Sequence, residues 1–508
     1  MSIRDTILVW VFVLASTSAW SNVFVHWTRS AFPPAKELGL NDLVLSWNDS
    51  FSPLVKAARR QGYRVYVEVS LHQSAAAAET VASGLGGVIL TVRQSERAEL
   101  EKSLPKLRAA HPKLRFLVLN PDGKQPEMRG SLVIKRDSVL EVSSPTAQPW
   151  IDTNLALVKI EQRSLQGQIP MYTFSWGGLS DSGQQQAALT ATDYSLAVAE
   201  AGAFHADLIL QLDERLQRAL SNHDPEAWTL WNQVRSYAKF YSDTSEQRLE
   251  AAANVAVVLD DLDTSDEAMN LLARHNIPFK VLRPVDLNSG DLEGFDVVVV
   301  FAKPDRGACQ RIADLATHGK TVVLVEAHGS YPWQNGHPVR LNEHAVAYAV
   351  GNGKVLELSE PVTDPEMFAQ DIRRLLGKQN VLVSLWNGLT TIAVPYREHG
   401  RTLKVLELVN YAEEPLRLQV QVIGTFTSVR YETPEHKCCE SLVPVKHNGF
   451  TEFVIPELRI TGRVHLEANH FNDSRASGVS PANRARQSLT LLGPFFDLRK
   501  AGCPSFQE

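Results

Sequence analysis

The sequence predicts a three-part α/β protein: a (β/α)8 barrel of TIM type, then a flavodoxin-like α/β domain, then an antiparallel β-sandwich. Three observations carry this. The chain has 508 residues, which at roughly 100–200 residues per domain gives about three domains. From Asn22 to Tyr241, short β-rich runs alternate with helical runs in eight successive units. After Tyr241 the pattern changes twice, first to a shorter α/β alternation and then, from Asn380, to strands without helices.

The eight expected strands are Asn22–Thr28, Asp42–Trp47, Arg64–Leu71, Gly87–Val92, Leu114–Asn120, a run within Ser131–Ser143, Pro170–Trp176 and Asp207–Leu212. Helical runs lie between them, among them Ser52–Gln61, Ser95–Ala110 and Asp152–Leu165, and Pro225–Tyr241 closes the series. Eight such units in about 220 residues suit a closed parallel barrel better than an open doubly wound sheet. Alternation in the third strand supports closure. Val65, Val67, Val69 and Leu71 take one face, toward the helices, and Tyr66, Glu68, Ser70 and His72 take the other, into the barrel.

A polar stretch, Ser242–Ala252, separates the barrel (22–245) from the second domain (253–378). There, Asn254–Asp260, Phe279–Arg283, Asp296–Phe301 and Thr321–Glu326 read as strands, and Ser265–His275, Gly307–His318 and Asp364–Leu376 as helices. The sandwich (380–467) is expected from seven short strands between Val381 and Glu467, with turn signals at Asn387-Gly388, His399-Gly400 and Asn448-Gly449. Residues 468–508, rich in Ser, Asn, Arg and Gly, are expected to form a disordered tail.

Residues 1–21 read as a signal peptide. Arg4 precedes the apolar run Thr6–Ala15, and Ala19 and Ser21 sit at −3 and −1 of a cleavage point before Asn22. The run is shorter than the about 20 residues needed to span a bilayer, and an uncleaved anchor is the competing reading. The expected location is therefore secreted or periplasmic, with no further membrane association. A net charge of -6, with no basic run, argues against nucleic acid as a partner. The cysteines Cys309, Cys438, Cys439 and Cys503 are too few for a disulfide scaffold, and no ligand spacing points to a metal. Cys309 lies in a helix without a Gly-x-Cys-x-Gly elbow, and no Gly-x-Gly-x-x-Gly follows Asn254–Asp260, so no cofactor is expected.

In such a barrel, chemistry gathers at the C-terminal ends of the strands. Glu68, Asp122 and Asp213 are the acid, base or nucleophile candidates there. Trp27, Trp47, Asn48, Asp49, His72, Asn120, Trp150, Asp152 and Trp176 are the candidates for contact with a substrate. Indoles stack on the C–H faces of sugars, and glycosidic hydrolysis needs an acid and a second carboxylate, so carbohydrate is the expected partner. Structural roles compete at each position. Asp49, Asp152 and Asp213 stand where helix caps stand, Trp27 and Trp47 suit packing, and Asp122-Gly123 suits a turn. Glu68 is the most informative. It is a carboxylate in mid-strand on the inward face, where it needs a partner such as Arg29, Arg93 or His72.

The order of barrel, α/β domain and sandwich resembles the family 42 β-galactosidases, and Leu408-Val409-Asn410-Tyr411 with Pro415 looks like the start of their C-terminal sandwich. The resemblance implies a middle domain akin to a catalytically dead glutamine amidotransferase that mediates homo-oligomerisation. It also implies catalytic glutamates at the ends of the fourth and seventh strands. Here those ends read Thr91-Val92-Arg93 and Phe174-Ser175-Trp176-Gly177, so the family's catalytic pair does not carry over. The expectation is a glycoside-hydrolase-like protein acting on or binding a carbohydrate at the barrel rim. A non-catalytic glycan-binding or envelope-assembly protein is the alternative.

Overall fold

The computed structural model describes residues 23–48, 51–81, 85–120, 154–164, 169–174, 189–242, 249–260, 265–289, 292–398, 402–412 and 414–468. The segment expected to be a signal peptide, the run 131–143 and residues 469–508 lie outside these residues. Among the described residues, no helix is long and apolar enough to cross a membrane.

Seven parallel strands close the barrel: β1 (Val23–His26), β2 (Asp42–Ser46), β3 (Arg64–Ser70), β4 (Gly87–Thr91), β5 (Arg115–Leu119), β6 (Met171–Thr173) and β7 (Asp207–Gln211). β1 pairs with both β2 and β7, which completes the ring. Among the described residues the count is seven rather than eight, with Leu119 of β5 paired directly to Met171 of β6.

Alternation sorts the side chains as the third strand predicts. Val25, Leu43, Leu45, Val65, Val67, Val69, Val88 and Leu90 face the helices. Phe24, Val44, Tyr66, Ile89, Leu119, Met171 and Ile209 fill the barrel as an apolar plug. Phe24 meets Tyr66 edge-on, with 4.9 Å between ring centroids. Gly87 makes room for this ring, since a Cβ there would lie 2.5 Å from the Arg115 carbonyl oxygen and 3.0 Å from Tyr66. Below the plug, the Arg64 guanidinium donates two hydrogen bonds to Asp42, and Arg115 Nη1 donates to the Tyr66 hydroxyl at 3.3 Å. Above it, polar side chains line the mouth.

The second sheet runs 279–282, 255–258, 297–300, 321–324, 353–358, 345–350, 338–340. The first five are parallel in the flavodoxin order 2-1-3-4-5, and an antiparallel pair is added at one edge. Ser265 precedes the helix Asp266–Arg274 as expected, but its side chain makes no capping hydrogen bond to it, whereas Asp364 caps Pro365–Leu376 through Met367 N–H.

The sandwich has a four-stranded sheet (383–386, 416–423, 450–458, 445–447) and a six-stranded one (436–442, 428–433, 461–467, 403–410, 391–397, 250–251). Asn448 (φ 47) and Gly449 (φ 84) form the tight hairpin turn their sequence signals. Asn387-Gly388 instead carries the chain from one sheet to the other, because the strands on its two sides belong to different sheets. The segment leaving the barrel first adds Glu250–Ala251 to the sandwich edge, pairing with Arg397 and Tyr396, and only then enters the second sheet.

The three parts share one core. The helix Ala191–Ala203 is buried from Tyr194 onward. The Tyr411 hydroxyl reaches Glu200 from the sandwich, and the Tyr396 hydroxyl donates to Ala203 O at 2.7 Å. Arg463 stacks 4.6 Å over Phe240 of the barrel's last helix and donates to Glu407 and Glu432.

Candidate functional site

The ends of four consecutive strands bring His26, Ser46, Glu68 and Thr91 together at the C-terminal mouth. Glu68 is the hub. One carboxylate oxygen accepts from Thr91 Oγ1 at 3.2 Å, and the other lies 3.7 Å from His26 Nε2. His26 Nε2 is also 3.1 Å from Ser46 Oγ. The His26 and Glu68 side chains keep 13% and 22% of their exposure, so both stay accessible from the mouth. Burial pushes the His26 pKa down against the opposing pull of Glu68, which favours a neutral imidazole beside the carboxylate at neutral pH. A carboxylate with spare acceptor capacity, a neutral imidazole and two hydroxyls can exchange protons with a polar ligand and hydrogen-bond its hydroxyls.

Glu68 has the inward position its alternation predicts, but its partners are His26 and Thr91, not Arg29, Arg93 or His72. The strand ends at Ser70, and a short 3-10 turn over Leu71–Gln73 carries His72 outward, where its Nε2 lies 3.1 Å from Glu96 Oε1. Glu96 also accepts from the Arg93 backbone N–H at 3.0 Å. Asn120 follows β5 in the left-handed region (φ 46), and its Oδ1 is buried without a hydrogen-bond partner among the described residues.

Asp213 is the cap of the helix Glu214–Ser221. Its Oδ1 accepts from Leu216 N–H at 2.8 Å and its Oδ2 from the Tyr194 hydroxyl at 3.2 Å. Trp27 shares the parity of Val25, so it faces the helices. It is 1% exposed, packs against Phe32 and donates to Ala31 O at 3.0 Å, which leaves no face for a ligand. Trp47 is half-buried against Phe51, with 5.1 Å between rings, and Asn48 is exposed beside it. Asp49, Asp122, Trp150, Asp152 and Trp176 lie outside the described residues. The parity rule that picks out Glu68 also reaches His26, two residues beyond the inward Phe24, and Thr91, two beyond Ile89.

One further cluster bears on metals. Glu432, Cys439 and His465 bring donor atoms within 4.8 Å of one another in the sandwich. Cys439 is joined to Cys438, and Glu432 already accepts from Arg463 at 3.1 Å and lies 3.0 Å from His465 Nε2. These groups serve one another and the domain junction.

No protein-family model matches the sequence, and no curated protein matches it. Solved structures do match in fold. α-L-Fucosidase isoenzyme 2 from Paenibacillus thiaminolyticus superposes with a TM-score of 0.56 at 12% identity, over 89% of this chain and 100% of that one. The polyextremophilic β-galactosidase from the Antarctic haloarchaeon Halorubrum lacusprofundi superposes with a TM-score of 0.52 at 10% identity, over 88% of this chain and 99% of that one. The barrel, α/β domain and sandwich together are thus a glycoside-hydrolase-like architecture.

Proposed function

We propose that the protein is an exported, glycoside-hydrolase-like protein that takes a carbohydrate at the C-terminal mouth of the barrel, with Glu68 as its proton-handling group. The observation that carries this is the inward Glu68, held above an apolar plug by Thr91 and His26 and still accessible from the mouth. The shared fold with a fucosidase and a β-galactosidase supports a sugar as the ligand. In this reading Glu68 exchanges a proton with the glycosidic oxygen, and neutral His26 and Ser46 hydrogen-bond ring hydroxyls. Asp122, three residues beyond β5 in the sequence, is the second carboxylate that hydrolysis requires. Trp47, Trp150 and Trp176 are the stacking surfaces. Asp213 is left out of the chemistry because both its oxygens are engaged, and it holds Tyr194 and the last barrel loop in place.

The test is turnover of aryl glycosides and polysaccharides by the mature protein and its variants. Glu68→Gln is expected to lower kcat by about 10²–10⁴-fold, the usual worth of a general acid, while sugar binding persists. Turnover unchanged in both Glu68→Gln and Asp122→Asn would remove the enzymatic assignment. Absence of any sugar binding would remove the carbohydrate assignment as well. Export on residues 1–21 predicts that the mature protein begins at Asn22, which N-terminal sequencing reads directly.

A further inference from the structure

On the sandwich, three adjacent strands bring donors of three kinds together. Glu432, His465 and Cys439 stand on the strands 428–433, 461–467 and 436–442 of the six-stranded sheet. Strand parity puts them on one face. Arg430 pairs with His465 and Glu432 with Arg463, so these four share a side. Tyr431 pairs with Glu440, which turns Cys439 to the side of Glu432. That side meets the last barrel helix, where Arg463 stacks over Phe240.

Glu432 uses its two oxygens differently. Oε1 accepts from Arg463 Nη1 at 3.1 Å and lies 3.0 Å from His465 Nε2, while Oε2 lies 3.9 Å from Cys439 Sγ. One donor atom from each of the three residues lies within 4.8 Å of the others. Bonds of about 2.0–2.3 Å in a tetrahedral zinc site put neighbouring donors roughly 3.5 Å apart. The separations of 3.0 and 3.9 Å bracket that spacing.

Charge fits as well. A thiolate and a carboxylate beside a neutral imidazole supply two negative charges, which a divalent cation balances. The Arg463 guanidinium is already answered by Glu407 in a buried pair. Glu432 and His465 each keep 16% of their side-chain exposure, and Cys438 is exposed beside them, so an ion and a reductant both have access. What withholds the thiolate is the bond between Cys438 and Cys439. A dithiol reductant opens it by giving up two hydrogens and becoming a disulfide. A phosphine opens it by taking an oxygen from water, whose two hydrogens go to the sulfurs. Both routes leave two thiols.

We infer that reduction creates a zinc-class site here, in which the Cys439 thiolate, His465 Nε2 and Glu432 Oε2 hold the ion, water takes the fourth position, and the thiol proton passes to solvent. The sandwich then takes up the metal only in its reduced state. The inference does not rest on the carbohydrate reading. It is tested on the purified full-length protein, oxidised or reduced with a phosphine that is then removed, by titration with cobalt(II) as the probe. The reduced protein is expected to bind one cobalt with a thiolate charge-transfer band that zinc bleaches, and the oxidised protein to show no band. Cys438→Ser leaves Cys439 unbridged and should bind cobalt without any reductant. Cys439→Ser should lose the band, which separates this site from Cys309 and Cys503. His465→Gln should weaken binding at least about 10²-fold, since losing an outer-shell partner alone costs about 10–100-fold. Should reduction unfold the wild type, Cys438→Ser with and without His465→Gln decides. No band in either the reduced protein or Cys438→Ser, an equal band in the oxidised protein, or binding undiminished in Cys439→Ser or His465→Gln would each overturn the proposal.

Discussion

Two inward carboxylates, Glu407 at the domain junction and Glu68 at the barrel mouth, are handled in opposite ways. The Glu407 and Arg463 side chains are 3% and 4% exposed, and the guanidinium is held between Glu407, Glu432 and the rings of Phe240 and Tyr241. Burial alone would push Glu432 up, but the hydrogen bonds from His465 and Arg463 outweigh it and hold it below the ordinary carboxylate range. Glu68 keeps 22% of its side-chain exposure, and among the described residues it has one hydroxyl donor and an imidazole at 3.7 Å. The barrel repeats the contrast along its own axis. The Asp42 and Arg64 pair closes the N-terminal end with two hydrogen bonds, and the C-terminal end leaves a carboxylate half-served. The difference separates carboxylates locked into the fold by guanidinium partners from one left open to the mouth.

The largest effect should follow from breaking the junction. Arg463→Met strands Glu407 as a buried charge and leaves Glu432 with His465 alone, and about 3–5 kcal/mol of stability should be lost, read by chemical denaturation. A loss below about 1 kcal/mol would mean the junction is wetter than its burial indicates. Acid attacks the same region. Burial, with Lys159 and Arg463 adding to it, pushes His205 down to about 3, and the ring stacks on Tyr396 at 4.1 Å. Its folded value lies below its unfolded one, so its contribution is complete above the unfolded value near 6.5 and is lost as the pH falls from there toward 3. His205→Phe should therefore move the acid-unfolding midpoint to lower pH, and an unmoved midpoint would assign acid sensitivity to other groups. At the barrel floor, Asp42→Asn should cost about 1–3 kcal/mol, since Arg64 loses a charged acceptor but remains half exposed.

How far the sequence reveals this division depends on what sets each residue's environment. Strand alternation is local, so the inward position of Glu68 is legible in Arg64–Ser70 alone. Its partners are not, because His26 and Thr91 come from other strands, and which residues sit level across the barrel depends on the stagger of the parallel ladder. The eight-strand count fails for a related reason: pairing of Leu119 with Met171 is a long-range event that no local pattern reports. The hairpin Ala345–Val350 and Gly353–Leu358 does carry a local signal, in the alternation of Ala with Val346, Tyr348 and Val350 and in Gly351 (φ 58) at its turn, and only its place in the sheet is long-range. Asp213 shows the reverse case. Its capping role follows from a helix starting at the next residue, and that local signal outranks its place on the rim.

The smallest effect is the sharpest test of the contrast, and it lies at the mouth. Glu68→Gln should change stability by less than about 1 kcal/mol, because an amide oxygen can still accept from Thr91 and little burial is disturbed. The charge is what disappears. Burial pushes His26 down and Glu68 pulls it partly back, so removing the carboxylate should lower the His26 pKa further, as followed by NMR titration of its ring protons. Because the folded value already lies below the unfolded value near 6.5, the protein loses His26's contribution as the pH falls from 6.5 toward that folded value, and the variant should extend this loss to lower pH. A His26 pKa that rises or stays still in Glu68→Gln would show that the two groups do not sense each other's charge. Glu68 would then have no claim to proton handling, and the mouth would differ from the junction only in being wet.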